Sequence, residues 1–387
     1  MRRLLQIPMI CIVVVALTGC GIFSRDDDTL APAELVEFSP SLEVERLWST
    51  DTGRGMSRSR PNFRPYFDGG RIWTGDHRGR VVAVNADSGR VEQRFDTDLA
   101  LSAGPAVQDG LILLGSFDGD VVVLDAETGE ERWRARVSSE VLSYPALADG
   151  VVVARSIDGR VYGFDVENGR RIWVHDRSVP LLTLRGTSDP LVRAGQVFIG
   201  YDDGMVSALR VRDGSVLWEQ RVSQPEGRTE LERMADIDGP MAIVGTELYV
   251  VTYHGRMAGM ALESGRMMWV KDLSSHTGLS LRRTQLAASD NDDAVWLVDR
   301  RNGATLWRDE QLKRRQITRP VFYGSQIVVV DVEGYMHFYD IDSGEFSART
   351  QFSRNAPADA PLVVGNTLYM LDENGTLSAW RAGRPSS

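Results

Sequence analysis

The sequence predicts an all-β fold, an eight-bladed β-propeller of four-stranded antiparallel blades with the ring closed by the N-terminal strand. Three observations predict it. A glycine-led pattern recurs about every 40 residues, Asp-Gly and Asn-Gly pairs punctuate short apolar runs, and the last copy stops short while an orphan strand stands near the N-terminus. A unit this short cannot bury a core alone and must stack on its neighbours.

The clearest copy runs Gly119-Asp-Val-Val-Val-Leu-Asp125-Ala-Glu-Thr-Gly129-Glu-Glu-Arg-Trp133. Glycines open the others at Gly79, Gly159, Gly204, Gly255, Gly334 and Gly375, and Asp293 stands there in a degenerate copy. Successive steps are 40, 40, 45, 51, 38, 41 and 41 residues. Each unit reads as four strands. In the Gly119 unit the first lies near Gly104–Val107, the second at 111–114, the third at 121–124, and the fourth carries Trp133. Asp-Gly and Asn-Gly turns such as Asp149-Gly150, Asn168-Gly169 and Asp203-Gly204 favour the positive φ of tight hairpins. Four short strands per repeat, with almost no helical periodicity, is the pattern of a propeller blade. In the degenerate copy Leu281-Arg282-Arg283-Thr284 replaces an Asp-Gly hairpin, which puts the inner strands of that blade in doubt.

A solenoid would need capping units at both ends. Here the Gly375 copy ends at Trp380 and Arg381, before any fourth strand, and Glu43-Val44-Glu45-Arg46-Leu47-Trp48 supplies a strand bearing the missing Trp. Pairing the two closes the ring and removes two open sheet edges. The repeating Trp (Trp133, Trp173, Trp218, Trp269, Trp307) reads as inter-blade packing with its indole N–H bonded locally. Phe95 lies near that place in the first copy, and Ala348 holds it in the Gly334 copy.

One ring absorbs most of the 387 residues, which divide into a leader (1–19), a tether (20–41) and the propeller (42–387). Arg2-Arg3 precede an apolar stretch, Ile7 to Leu17, that is too short to span a bilayer. Leu17-Thr18-Gly19-Cys20 comes next and resembles a bacterial lipobox, which implies cleavage before Cys20 and acylation of its thiol and amine. Two or three acyl chains anchor stably, each buried methylene contributing about 0.8 kcal/mol. Gly21 rather than Asp after the Cys implies the outer membrane by resemblance to the usual sorting rule, with the propeller in the periplasm. Residues 22–41, with Asp26-Asp27-Asp28 and Pro32, read as a polar tether.

The formal net charge is −10, and loss of Arg2 and Arg3 makes it more negative, which argues against nucleic acid. Cys11 and Cys20 are the only cysteines, so the propeller can hold neither a disulfide nor a Cys-based metal site. His77, His175, His254, His276 and His337 form no ligand-spaced cluster. Arg54, Arg58, Arg60 and Arg64, ahead of the first blade, read as a solvated rim.

Repeat proteins place function where the repeat is interrupted. From the outer Trp to the Pro of the next blade is 12 residues at Trp133 and 13 at Trp307, but 17 at Trp173 and 22 at Trp218. The two long connections flank one blade and emerge on one face, so they should be neighbours. The first holds Val179-Pro-Leu-Leu-Thr-Leu-Arg-Gly186, and the second runs from Thr229 to Asp238. Leucines with one Arg beside carboxylates suit a protein interface, with an apolar centre and charges for register.

The turn Leu124–Trp133 resembles the repeat of the pyrroloquinoline-quinone enzymes. Two kinds of protein share it: quinoprotein dehydrogenases, and lipoproteins of the outer-membrane β-barrel assembly machinery that lack their chemistry. With its lipobox, eight copies and closing strand, the chain resembles the second kind over essentially its whole length. Val179–Gly186 and Ala235–Pro240 are close to motifs of that family. The resemblance implies a scaffold without catalytic residues, cofactor or metal. It would dock on the periplasmic POTRA domains of the barrel-inserting partner, BamA, and aid nascent outer-membrane β-barrels. It also implies contact residues Leu182, Leu184, Arg185, Asp236 and Asp238. Two alternatives stand beside it. A quinone-dependent dehydrogenase would need a vicinal Cys pair that the chain after its leader lacks. A propeller binding another envelope partner would not co-purify with the assembly machinery.

Overall fold

The computed structural model describes residues 31–56, 61–177, 180, 188–224, 228–229 and 234–384. Eight four-stranded antiparallel sheets succeed one another around a ring, and no helix occurs among the described residues. Blade one comprises Tyr66–Asp68, Arg71–Gly75, Arg80–Asn85 and Val91–Asp96, ordered from the centre outward. Blade two, Leu101–Gln108, Leu111–Ser116, Asp120–Asp125 and Glu131–Arg136, is the unit read most clearly from sequence. In the degenerate sixth blade both inner strands form, Leu279–Arg282 and Gln285–Ser289. Arg283 makes their turn at φ 44°, and Asp293 takes φ 65° where the other copies place Gly. Asp293 is anchored because its carboxylate accepts the N–H groups of Gln316 and Ile317, both at 2.9 Å.

Blade eight closes the ring. Glu43–Asp51 pairs antiparallel with Thr376–Gly383, from Glu43↔Gly383 to Asp51↔Thr376. The pairing carries a β-bulge that leaves out Leu47, just before Trp48. Blade two has the same bulge at Arg132, just before Trp133. A bulge adds a residue and re-aims the neighbouring side chain, so the N-terminal strand reproduces the local geometry of the Trp-bearing outer strands.

That geometry seats the repeating Trp. Trp133 lies on Gly169 of the next blade, where an added Cβ would sit 2.6 Å from the ring, and its indole N–H donates to Val166 O at 2.7 Å. Trp173, Trp218, Trp269 and Trp307 repeat the contact at Gly214, Gly265, Gly303 and Gly344, and Trp48 makes it at Gly89. Blade seven has Ala348 instead. Its neighbour is the closing blade, whose third strand pairs with the N-terminal strand and not with a strand that follows it by a hairpin, so there is no turn glycine for a Trp to cover.

Residues read from composition as the end of the tether lie against blade seven. Ala33 N donates to Lys313 O and Ser41 N to Ser347 O, both at 2.9 Å. Leu35 packs beside Leu312, Ile317 and Tyr339, and Phe38 stacks on Phe346 at 5.4 Å. Arg315 and Arg349 donate to the carbonyls of Ala33 and Val36. The segment covers the outer strand Phe346–Gln351, an edge left without a Trp.

Candidate docking surface

The connections from outer to inner strands share one face of the ring with the turns between second and third strands; Val137 N, for example, donates to Gly119 O and Val222 N to Gly204 O. On this face the turns carry a repeating cap. Asp76, Ser116, Thr252, Asp290, Asp331 and Asp372 accept backbone N–H groups with their side chains, and Ser156 occupies the same place. Blade four has Tyr201 there instead.

Tyr201 is buried, and burial pushes its phenol up to about 12. It lies between two guanidinium groups, Arg155 at 5.4 Å and Arg177 at 4.9 Å. Arg155 has no exposed surface; it donates to Asp202 Oδ1 and to Gly200 O, each at 2.7 Å. Arg177 bridges Asp203 and Glu219, both at 2.8 Å. A buried charge survives only when paired and hydrogen-bonded, and these pairs tie blade three to blade four.

Both long connections are rooted on this layer. Ser188 Oγ donates to Gly200 O at 3.2 Å, and Ile237 N donates to Tyr201 O at 3.2 Å. A Cβ on Gly200 would meet Ile237 at 2.4 Å and Ser188 Oγ at 2.9 Å, so only glycine lets both roots close on the strand. Tyr253 N donates to Asp236 O at 2.8 Å and carries the second connection onto blade five. The two connections are neighbours at their roots.

Of the five residues implied as contacts, Leu182, Leu184 and Arg185 lie outside the described residues, as does Cys20. Asp236 is fully buried. Both carboxylate oxygens of Asp238 are buried, and burial, then Asp236 and Asp202, raise its pKa well above the usual carboxylate range against the pull of Arg155. Both aspartates are buried at the root of the second connection. The sequence reading missed Arg155, Tyr201, Asp202 and Arg177. Signals for two of them existed: Arg155 ends the apolar run Val151-Val-Val-Ala, and Tyr201 replaces the capping Asp, Ser or Thr.

The centre of the ring also departs from the sequence reading. Arg64, taken with Arg54, Arg58 and Arg60 as a solvated rim, reaches into the channel. It pairs with Asp189 of blade four at 2.5 Å, lies 4.0 Å from the Tyr144 ring, and accepts the Tyr144 hydroxyl on its carbonyl. Arg54 is exposed, and Arg58 and Arg60 lie outside the described residues. Arg64, Asp189, Pro240 and Arg319 border two cavities, one of about 810 Å³ on the connection face and one of about 530 Å³ beyond it. Arg319 donates to Ser280 Oγ at 2.6 Å. Burial lowers its pKa, with the nearby Arg64 adding to that.

The family description matching this chain is "Outer membrane protein assembly factor BamB", over residues 92–309 and 298–383. Curated relatives of that name include one from Alkalilimnicola ehrlichii, 46% identical over 368 residues, covering 95% of this chain and 94% of the relative. That of Pseudomonas aeruginosa is 44% identical over 368 residues (95% and 96%), and that of Escherichia coli 31% over 376 (94% and 95%). The crystal structure of BamB from Moraxella catarrhalis superposes with a TM-score of 0.80 at 26% identity, over 88% of this chain and all of that one. A europium-containing methanol dehydrogenase shares the fold alone, with a TM-score of 0.70 at 11% identity over 87% and 93% of the chains. The agreement in family description, near-full-length relatives and ring architecture places this chain in the BamB family of outer membrane protein assembly factors.

Proposed function

We propose that this chain is a non-enzymatic scaffold of the outer-membrane β-barrel assembly complex, anchored through acylated Cys20 and facing the periplasm. It docks on the POTRA domains of BamA through the connections flanking blade four. The observation that carries the docking site is the buried Arg155–Asp202 layer, with Tyr201 in place of a cap, under the roots of both connections. Leu182, Leu184 and Arg185 are the residues offered to the partner, and Asp236 and Asp238 position them from below. Nascent barrel strands are the clients. The outer strands of blades three to five expose Ile172, Val174, Val216, Leu217, Met268 and Val270 along unpaired edges, which suits strand addition.

The dehydrogenase reading has no comparable support. Cys11 and Cys20 both precede the ring, so the ring offers no vicinal cysteines for a quinone. The test is co-purification with BamA from detergent-solubilised membranes. Leu184→Glu with Arg185→Ala should abolish recovery of BamA while the variant stays folded and membrane-bound. Undiminished recovery would place the contact elsewhere.

A further inference from the structure

The cavity of about 530 Å³ beyond the connection face has the lining of a ligand site. Apart from Arg64, Asp189, Ser280 and Arg319 its walls are apolar, with Leu191, Ala242, Leu281, Phe322, Leu362 and Val363 on the inner strands of blades four to eight. Small-molecule sites of this size combine an apolar wall with a few placed polar groups.

Three of the four polar groups come from one position of the repeat. Arg64, Asp189 and Arg319 each precede a proline and stand two places before the first paired residue of an inner strand, Tyr66, Leu191 and Val321. Tyr144 and Ala360 hold that place in blades three and eight, so charge there departs from the repeat. Arg64 and Asp189 neutralise each other. Arg319 has no such partner. Its Nη1 donates to Ser280 Oγ, its Nε is buried without an acceptor, and it has no ion pair among the described residues. Asp238, Asp359 and Glu373 line the other cavity and not this one. Asp359 attracts Arg319 from there without bonding to it. The charge facing this cavity that no carboxylate meets is therefore a guanidinium. A guanidinium withdrawn from water is costly until an anion pairs with it, and its planar fork suits a carboxylate.

We infer that this cavity binds a monocarboxylate with an apolar tail, of the medium-chain fatty acid class. The carboxylate lies on Arg319, and the tail runs along the inner strands toward the hairpins that join first and second strands. Each methylene buried on the apolar wall strengthens binding up to about fourfold. The charged hydrogen bond to Arg319 strengthens it roughly 10- to 100-fold.

The test uses the chain from residue 20 onward with Cys20→Ser, so that neither an acyl chain nor detergent competes for the cavity. Calorimetric titration compares hexanoate, octanoate and decanoate, with octanol and octyltrimethylammonium as neutral and cationic counterparts of octanoate. Affinity should rise along the acids. Octanoate should exceed octanol at least about tenfold, and the cation should bind more weakly than either. Arg319→Met, which keeps an unbranched apolar stem, should bring octanoate down to octanol and leave octanol unchanged. Arg193→Met, which removes an exposed cation two positions beyond Leu191, should change neither. Absence of binding at millimolar acid, equal affinity for octanoate and octanol, or equal loss in both variants overturns the inference. The comparison of head groups is made on the unsubstituted cavity, so it decides the matter even if Arg319→Met does not fold.

Discussion

A guanidinium without exposed surface is tolerable only if its charge is met, and Arg155 meets Asp202 at 2.7 Å with a second bond to Gly200 O. Removing one member of such a pair strands the other, at a cost of roughly 3–5 kcal/mol, whereas replacing both by apolar residues is often close to neutral. Arg155→Ala should therefore destabilise the ring by about that amount, and Arg155→Met with Asp202→Leu should recover most of it. Urea unfolding monitored by tryptophan fluorescence reads both. A single variant within about 1 kcal/mol of the parent would mean that water reaches Asp202 and that the layer is not a rigid floor. None of this pairing was legible in the sequence. Arg155 and Asp202 lie 47 positions apart, and only the stacking of blade three on blade four brings them together.

At the scale of elements, the repeat announced its strands because each blade solves the same local problem with the same residues. Gly takes positive φ, Asp caps the turn, and Trp covers the next glycine. The strap was not legible for the opposite reason. Leu35 and Phe38 are two apolar residues in a polar stretch, and their partners, Leu312 and Phe346, lie some three hundred positions away. The fastening of the strap is also titratable. Buried His337 faces Asp331 through Nε2 at 3.0 Å and accepts the Arg349 Nε–H on Nδ1 at 3.1 Å. Arg315 binds the same Asp331 oxygen at 2.7 Å, and the Phe346 and Tyr335 rings flank the imidazole. Arg349 and Arg315 in turn hold the Val36 and Ala33 carbonyls. Burial lowers the His337 pKa, with Asp331 opposing. A depressed histidine pKa means that the unfolded form takes up the proton first. Stability is thus full above about 6.5 and is lost as pH falls toward the folded-state value. Protonation also turns Nδ1 from acceptor to donor against Arg349. Amide exchange at 33–42, corrected for its intrinsic rate, should accelerate severalfold at pH 5 relative to pH 7, and His337→Gln should remove that pH dependence. Equal protection at both pH values would rule out the histidine as the fastener.

The ring closes by pairing its first strand, Glu43–Asp51, with its last, Thr376–Gly383. Trp48 seats on Gly89 and donates to Ala86 O at 3.0 Å, the same contact that Trp133 makes one blade from its own. Thr50 Oγ1 donates to Gly89 O at 2.5 Å, and Tyr369 from the chain's far end donates to the same Ala86 O at 3.1 Å. If closure is an ordinary blade contact, Trp48→Ala should cost as much as Trp133→Ala, about 3–5 kcal/mol for a large core aromatic. If the N-terminal strand were only an accessory, Trp48→Ala would cost far less. Truncation separates the two more sharply. A chain from residue 32 retains strap and closing strand and should melt with the chain from residue 20. A chain from residue 52 loses the outer strand of blade eight, leaving Thr376–Gly383 as an open edge and Gly89 uncovered. Open, unprotected edges pair with one another, so this form should melt lower, over a broader range, and sediment as oligomers. A monomeric chain from residue 52 with unchanged melting would show that seven blades and a partial eighth hold without closure, and that the orphan strand's match to the repeat is not what makes the fold one cooperative unit.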